Sequence, residues 1–129
     1  MIACLRKSGL IIMIVCKFGG TSLANASQIK KVCDIIKADE KRKIVVVSAP
    51  GKRFKEDTKV TDLLIDCAEK RISLGDSSAE QAKVMERFSE IIEELELSEN
   101  FISEIEDDLA SRLNSDYFNA GKFIEEVRS

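Results

Sequence analysis

The apolar run Ile11-Ile12-Met13-Ile14-Val15-Cys16 leads straight into Lys17-Phe18-Gly19-Gly20-Thr21-Ser22, and this junction constrains the fold more than any other part of the chain. A buried strand that ends in a lysine and two glycines sets a compact, mobile cation beside backbone N–H groups that no side chain obstructs. Phosphate oxygens fit such a place. Thr21 and Ser22 add hydroxyl donors. The glycines permit backbone conformations closed to other residues and let a ligand approach the amides closely. The hexapeptide alone leaves open a plainer reading, a strand-to-helix turn with Lys17 as a solvated flank.

The next thirty residues extend the junction into a βαβ unit. Asn25 can cap a helix with Gln28 three residues on, and Ile29, Val32, Cys33 and Ile36 recur at the spacing of one helical face. The helix is expected to end near Asp39. After the charged turn Asp39-Glu40-Lys41-Arg42-Lys43 comes Ile44-Val45-Val46-Val47-Ser48, a β-branched run of the kind found in parallel strands covered on both faces. Strands at about 11–17 and 44–49 should therefore be adjacent and parallel. That brings the Gly-Gly turn and Ser48 to the same sheet edge, where ligands of open α/β sheets bind.

Three ordered stretches carry a family resemblance: Lys17-Phe18-Gly19-Gly20-Thr21-Ser22-Leu23-Ala24, then Val45-Val46-Val47-Ser48-Ala49-Pro50-Gly51-Lys52-Arg53, then Lys59-Val60-Thr61-Asp62-Leu63-Leu64. Together they resemble the start of an aspartokinase, of the amino acid kinase family. The resemblance implies an α/β fold, a partial three-layer αβα sandwich of the amino acid kinase type, with parallel strands and flanking helices. It also implies a reaction in which ATP, with Mg, phosphorylates the side-chain carboxylate of aspartate to an acyl phosphate, the first step toward lysine, threonine and methionine. Positioning and charge neutralisation dominate such a transfer. Carried over from the family motif, Lys17 would contact the transferring phosphoryl group and act as the catalytic residue. Gly19 and Gly20 would supply backbone donors, and Thr21 and Ser22 would complete the ATP-binding loop. Ser48 and Thr61 match positions that help hold aspartate. From the residues alone, Ser48 also reads as a strand-ending hydroxyl, and Thr61 or Asp62 as the cap of a helix with Leu63, Leu64, Cys67 and Ala68 on its apolar face.

With 129 residues and 44% hydrophobic content, the chain is long enough for a real core. An aspartokinase is longer. The resemblance assigns residues 13–129 to the amino-terminal portion of an amino acid kinase domain and leaves 1–12 as an extension; the nucleotide-holding half and the regulatory domains would come later in such an enzyme. Similar enzymes also carry a Ser-x-Gly-Glu motif shortly after an Asp-Tyr-like pair, and its glutamate contacts the aspartate amino group. Here Asp116-Tyr117-Phe118 is followed by Asn119-Ala120-Gly121-Lys122. Lys122 would invert the charge where an ammonium should bind.

Between these motifs and the tail, the segment 78–113 is helical by pattern. Ser77 or Ser78 with Glu80 or Gln81 offers a capping box, and Val84, Phe88, Ile91, Ile92 and Leu95 form one stripe. A second helix restarts at Ser98, with Ile102, Ile105, Leu109 and Leu113 opposite Glu99, Glu104, Glu106, Asp107 and Asp108. The carboxylates read as a solvated face rather than a metal cluster.

Twenty basic and 23 acidic residues give a net charge of -3, with the basic residues dispersed, so nothing marks a nucleic-acid interface. Lys52 to Lys59 forms a charged loop that could cover a phosphate site or simply be solvated. Cysteines 4, 16, 33 and 67 form no Cys-x-x-Cys pair, and the absence of histidine removes the usual zinc partners and the usual neutral-pH base. Cys33 and Cys67 fall on apolar helix faces, and buried free thiols in a reducing cytoplasm are expected. The first ten residues superficially mimic a secretory leader, yet no small-residue cleavage site comes after them and the apolar run is a strand, so no membrane role is indicated.

Two functions from different classes remain. One is the amino-terminal part of an aspartokinase, inactive as an isolated chain. The other is a non-catalytic α/β module that binds a phosphate-bearing ligand or depends on a partner. Either would leave an open sheet edge, which implies self-association or a partner chain.

Overall fold

In the computed structural model, which describes residues 2–6, 12–116 and 119–129, the apolar run and its lysine form one strand, Ile12–Phe18. Ile11, Tyr117 and Phe118 lie outside the described residues, as does the side chain of Cys4. The chain divides into two compact units, Met1–Asp57 and Thr58–Ser129.

Among the described residues three strands form the sheet of the first unit, in the order β1 (Ile2–Arg6), β2 (Ile12–Phe18) and β3 (Arg42–Val47). β2 and β3 run parallel, with Cys16 opposite Val45, Lys17 opposite Val46 and Phe18 opposite Val47, as the βαβ pattern requires. β1 is an addition to what the sequence predicts. It pairs antiparallel with β2, from Ile2 opposite Cys16 to Arg6 opposite Ile12, so β2 lies inside the sheet.

A short 3₁₀ turn, Gly20–Leu23, leads from β2 to helix α1 (Ala26–Lys37). The Asn25 side chain accepts a hydrogen bond from the Gln28 amide at 3.0 Å, the expected cap. Leu23, Ala24, Ala26 and Val32 are buried. Cys33 is not: it is exposed, as is Ile35, because the covered stripe of α1 is narrower than its apolar spacing suggests. A second correction concerns β3. Ile44, Val45, Val46 and Val47 are between 38% and 60% exposed rather than covered on both faces, and among the described residues β3 pairs with β2 alone.

Among the described residues the second unit has four helices: α2 (Val60–Leu74), α3 (Ser78–Glu94), α4 (Asn100–Leu113) and α5 (Ala120–Arg128). Cys67 and Ala68 of α2, Val84 of α3, Leu109 and Leu113 of α4, and Phe123 and Val127 of α5 form a single core. Burying side chains of this size contributes about 1.5–3 kcal/mol each. From the predicted stripes, Val84 of α3 and Leu109 and Leu113 of α4 lie in this core with Phe88 packed against it, Ile91 and Ile92 are buried as well, and Glu99, Glu104, Glu106, Asp107 and Asp108 are exposed, as expected. α5 adds to the helices that the sequence predicts: Asn119 caps it through Lys122 N at 2.9 Å, and Phe123 and Val127 recur one turn apart.

The caps of α2 and α3 differ from expectation. Lys59, not Thr61 or Asp62, is the N-cap of α2, and its side chain makes no capping bond. At α3 the Ser77 hydroxyl accepts from Gln81 Nε2 at 3.0 Å, so no reciprocal box forms. Asp76 takes over the capping by accepting from the Ser78 hydroxyl at 2.6 Å and from the Ser78 amide at 3.3 Å. α2 ends on Gly75 at φ 71°, a left-handed position that glycine occupies without steric penalty. Across the unit, Arg71 Nη2 donates to Asn114 Oδ1 at 3.0 Å, and Arg112 Nη1 donates to the Glu126 carbonyl at 2.8 Å. Buried Arg87 reaches back from α3 to the Thr58 carbonyl at 2.8 Å and steadies the entry to α2.

This packing sets two titrations. Burial, with Glu80 and Asp66 nearby, pushes the Cys67 thiol up to about 11 from 9.0. The folded state therefore favours the neutral thiol, and that preference is full below pH 9 and lost as pH rises toward 11. Hydrogen bonds from the Ser78 hydroxyl and amide hold the Asp76 carboxyl below its usual range, so the start of α3 loosens as acid protonates it. Iodoacetamide at pH 8, read by peptide mass spectrometry, should label Cys33 quickly and leave Cys67 unmodified until the unit unfolds. Equal labelling of both would contradict the burial of Cys67.

Candidate functional site

At the carboxyl end of the β2–β3 pair, the parallel register continues past the strands. The Ser48 amide donates to the Phe18 carbonyl at 3.2 Å, so Ser48 stands beside the point where β2 gives way to Gly19. Cys16 is fully buried while Lys17, the next residue along the pleat, is exposed. Lys17, Gly19, Gly20, Thr21, Ser22 and Ser48 thus gather at one sheet edge. Thr21 and Ser48 are exposed, and the Ser22 amide closes the turn by donating to the Gly19 carbonyl at 3.0 Å.

Neither glycine relies on unusual dihedrals, and only Gly20 sits where a side chain would crowd its neighbours. Gly19 lies at φ -78°, ψ 171°, ordinary extended backbone, and neither it nor Gly20 has positive φ. The expectation of backbone conformations closed to other residues is therefore corrected. A Cβ on Gly19 would meet nothing within 4 Å, which leaves open space beside the backbone there. A Cβ on Gly20 would come within 3.1 Å of the Ala49 carbonyl and 3.2 Å of Gly51. In the sequence Gly51 stands only as part of a motif, and its Pro-Gly context signals a turn without revealing what it faces.

Beyond Gly51, the charged loop is tied down by one ion pair. Arg53 Nε and Nη2 donate to the two carboxylate oxygens of Asp57 at 2.8 and 3.0 Å, and the Arg53 amide adds a third bond at 2.9 Å. The Asp57 side chain is only 8% exposed, so this fork is shielded and fixes residues 53–57 as a turn. Arg53 also lies over the Phe54 ring, 5.7 Å from its centroid. The sequence pattern does not mark Arg53 and Asp57 as partners, although a spacing of four residues is the signal that could have found them.

Thr61 belongs to the second unit, as the second residue of α2. Lys122 is exposed in the first turn of α5. Nucleotide phosphates suit the exposed lysine and the open space at Gly19. Among the described residues no group of three or more His, Cys, Asp or Glu could hold a metal ion. Among the described residues no helix is long and apolar enough to cross a membrane.

This chain matches known proteins over most of its length. The model of the amino acid kinase family matches residues 13–123, so the chain belongs to that family. Within the family its likeness is to the aspartokinases. Aspartokinase 3 of Bacillus subtilis is 46% identical over 117 residues, which cover 91% of this chain and 26% of that protein. The aspartokinase of Chlamydia muridarum is 42% identical over 82 residues, 64% of this chain and 16% of the other. Among solved structures, the aspartate kinase of Clostridium acetobutylicum aligns with a TM-score of 0.65 and 37% identity over 73% of this chain and 22% of its own. Aspartokinase III of E. coli, in complex with aspartate and ADP, aligns with a TM-score of 0.57 over 87% of this chain and 25% of its own; at 20% identity it shows the fold alone. This chain therefore spans about a quarter of the length of the Bacillus subtilis relative and less of the Chlamydia muridarum one.

Proposed function

We propose that this chain supplies the phosphate-handling edge of an aspartate kinase, which transfers the γ-phosphoryl group of ATP to the side-chain carboxylate of aspartate. The observation that carries the reading is the convergence of Lys17, Gly19, Gly20, Thr21, Ser22 and Ser48 at the carboxyl end of two parallel strands, in a chain 46% identical to an aspartokinase. Lys17 neutralises charge that builds on the transferring phosphoryl group, the amides of Gly19 and Gly20 orient its oxygens, and the Thr21 and Ser22 hydroxyls close the loop. Ser48 and Thr61 hold aspartate. The carboxylate oxygen attacks phosphorus and the bond to the leaving ADP oxygen breaks, so no proton need move at the reacting atoms. Magnesium belongs to the reaction by family likeness, where it would neutralise phosphate charge together with Lys17. Residues 13–129 form the kinase portion and 1–12 an extension, and the setting of the enzyme is the cytoplasm.

The chain alone does not complete the transfer. The Bacillus subtilis relative is about three and a half times as long, and Lys122 carries the wrong sign for holding an ammonium group. Losing positioning contacts of that kind removes a term of roughly 7–11 kcal/mol. Incubated with ATP, magnesium and aspartate, the purified chain should yield no hydroxamate on hydroxylamine trapping above a Lys17→Ala control. When the chain replaces the matching segment of Bacillus subtilis Aspartokinase 3, the same Lys17→Ala change should lower kcat by orders of magnitude with the melting temperature nearly unchanged. Wild-type turnover in that variant would end the assignment.

The exposed β3 supports a second proposal, that a further chain, whether a second copy or another protein, covers Ile44, Val45, Val46 and Val47. Sedimentation of the purified chain should show association that rises with concentration and falls for Val46→Lys. A monomer at all concentrations would count against it.

A further inference from the structure

Two stretches of backbone approach each other closely in the first unit. The Gly51 amide donates to the Gly20 carbonyl at 2.8 Å, and the Ser48 amide three residues earlier donates to the Phe18 carbonyl. These two bonds clamp the segment 48–51 along the segment 18–20. A Cβ built on Gly51 would fall 2.6 Å from the Gly20 carbonyl carbon, 2.8 Å from its oxygen and 2.8 Å from the Thr21 amide nitrogen. All three are backbone atoms, so no side-chain rotation relieves the contact. Relief requires the two segments to move apart. Gly51 has no positive φ, so its missing side chain serves this contact and not its own dihedral angles.

We propose that Gly51 is a positioning residue for the phosphate loop: by having no side chain it lets residues 48–51 lie against Gly20 and Thr21 and so fixes the loop amides relative to Ser48. The inference rests on reading that loop as the phosphate site. Gly51 touches no reacting atom and acts through Gly20. A displacement of about 1 Å in a positioned group costs on the order of a hundredfold in rate, so one methyl group here has leverage far beyond its volume. By contrast, a Cβ on Gly121 would meet only the Asn119 side chain, at 3.6 Å.

The test compares Gly51→Ala, Lys17→Ala and Gly121→Ala in the full chain by thermal melting, by the amide resonances of Gly20, Thr21 and Ser22, and by ATP titration. Gly51→Ala should move those three resonances without ATP present and weaken ATP binding at least tenfold while the melting temperature stays near wild type. Gly121→Ala should leave those resonances and ATP binding unchanged. Unmoved loop resonances in Gly51→Ala, or ATP affinity within twofold of wild type while Lys17→Ala loses it, would overturn the inference and leave the phosphate reading standing. Moved resonances together with ATP binding indifferent to Lys17→Ala would support the positioning role and refute the phosphate reading. If Gly51→Ala does not fold, Gly20→Ala, whose Cβ meets the same segment at 3.1–3.2 Å, serves in its place with the same two outcomes.

Discussion

Between Gly20 and Gly51 the chain brings main chain against main chain, and the arrangement at the sheet edge depends on that contact. Parallel pairing of β2 with β3 delivers the two segments side by side, and its hydrogen bonding reaches as far as Ser48. Past that point the bond from the Gly51 amide to the Gly20 carbonyl holds the loops together, at a separation that leaves no room for a Cβ on Gly51. The 3₁₀ turn, the cap at Asn25 and the turn held by Arg53 and Asp57 then extend from a fixed point. A fixed backbone matters in phosphoryl transfer, because amides aimed in advance need no reorganisation as charge develops.

How much is legible in the sequence depends on how local each determinant is. Asn25 with Gln28, the apolar run ending at Lys17, and the β-branched run from Ile44 are short-range signals, and the parallel pair and α1 stand where they put them. Helix α5 is equally local, with Asn119 followed by Phe123 and Val127, but it is short and its periodicity rests on only two buried residues. β1 carries no comparable mark. Its five residues pair with β2 by register across an intervening segment, which periodicity does not encode. Burial is harder still, because it depends on what lies opposite. Cys33 shares an apolar spacing with Val32 yet faces outward, and the covered strand expected at Ile44–Val47 is exposed.

The candidate site is legible in two different senses. Chemistry alone points to Lys17, Gly19 and Gly20, since a lysine and unobstructed amides at a strand end suit an anion wherever they occur. The roles of Ser48 and Thr61 come from family likeness, and their own residue types point only to a strand end and a helix start. The structure adds why the motif runs on to Gly51, which a pattern of letters cannot explain. It also separates the glycines by function: Gly20 and Gly51 meet each other, while Gly19 borders open space where a ligand can approach.

Amide hydrogen exchange resolved to single residues in the intact chain tests the central contact most directly. Gly51 donates to Gly20, and Ser48 donates to Phe18, so both amides should exchange slowly and at similar rates, well behind the neighbouring exposed Lys52. Slow exchange at Ser48 with fast exchange at Gly51 would mean that the strands pair but the loops do not meet, and the phosphate edge would lose the contact on which its geometry depends.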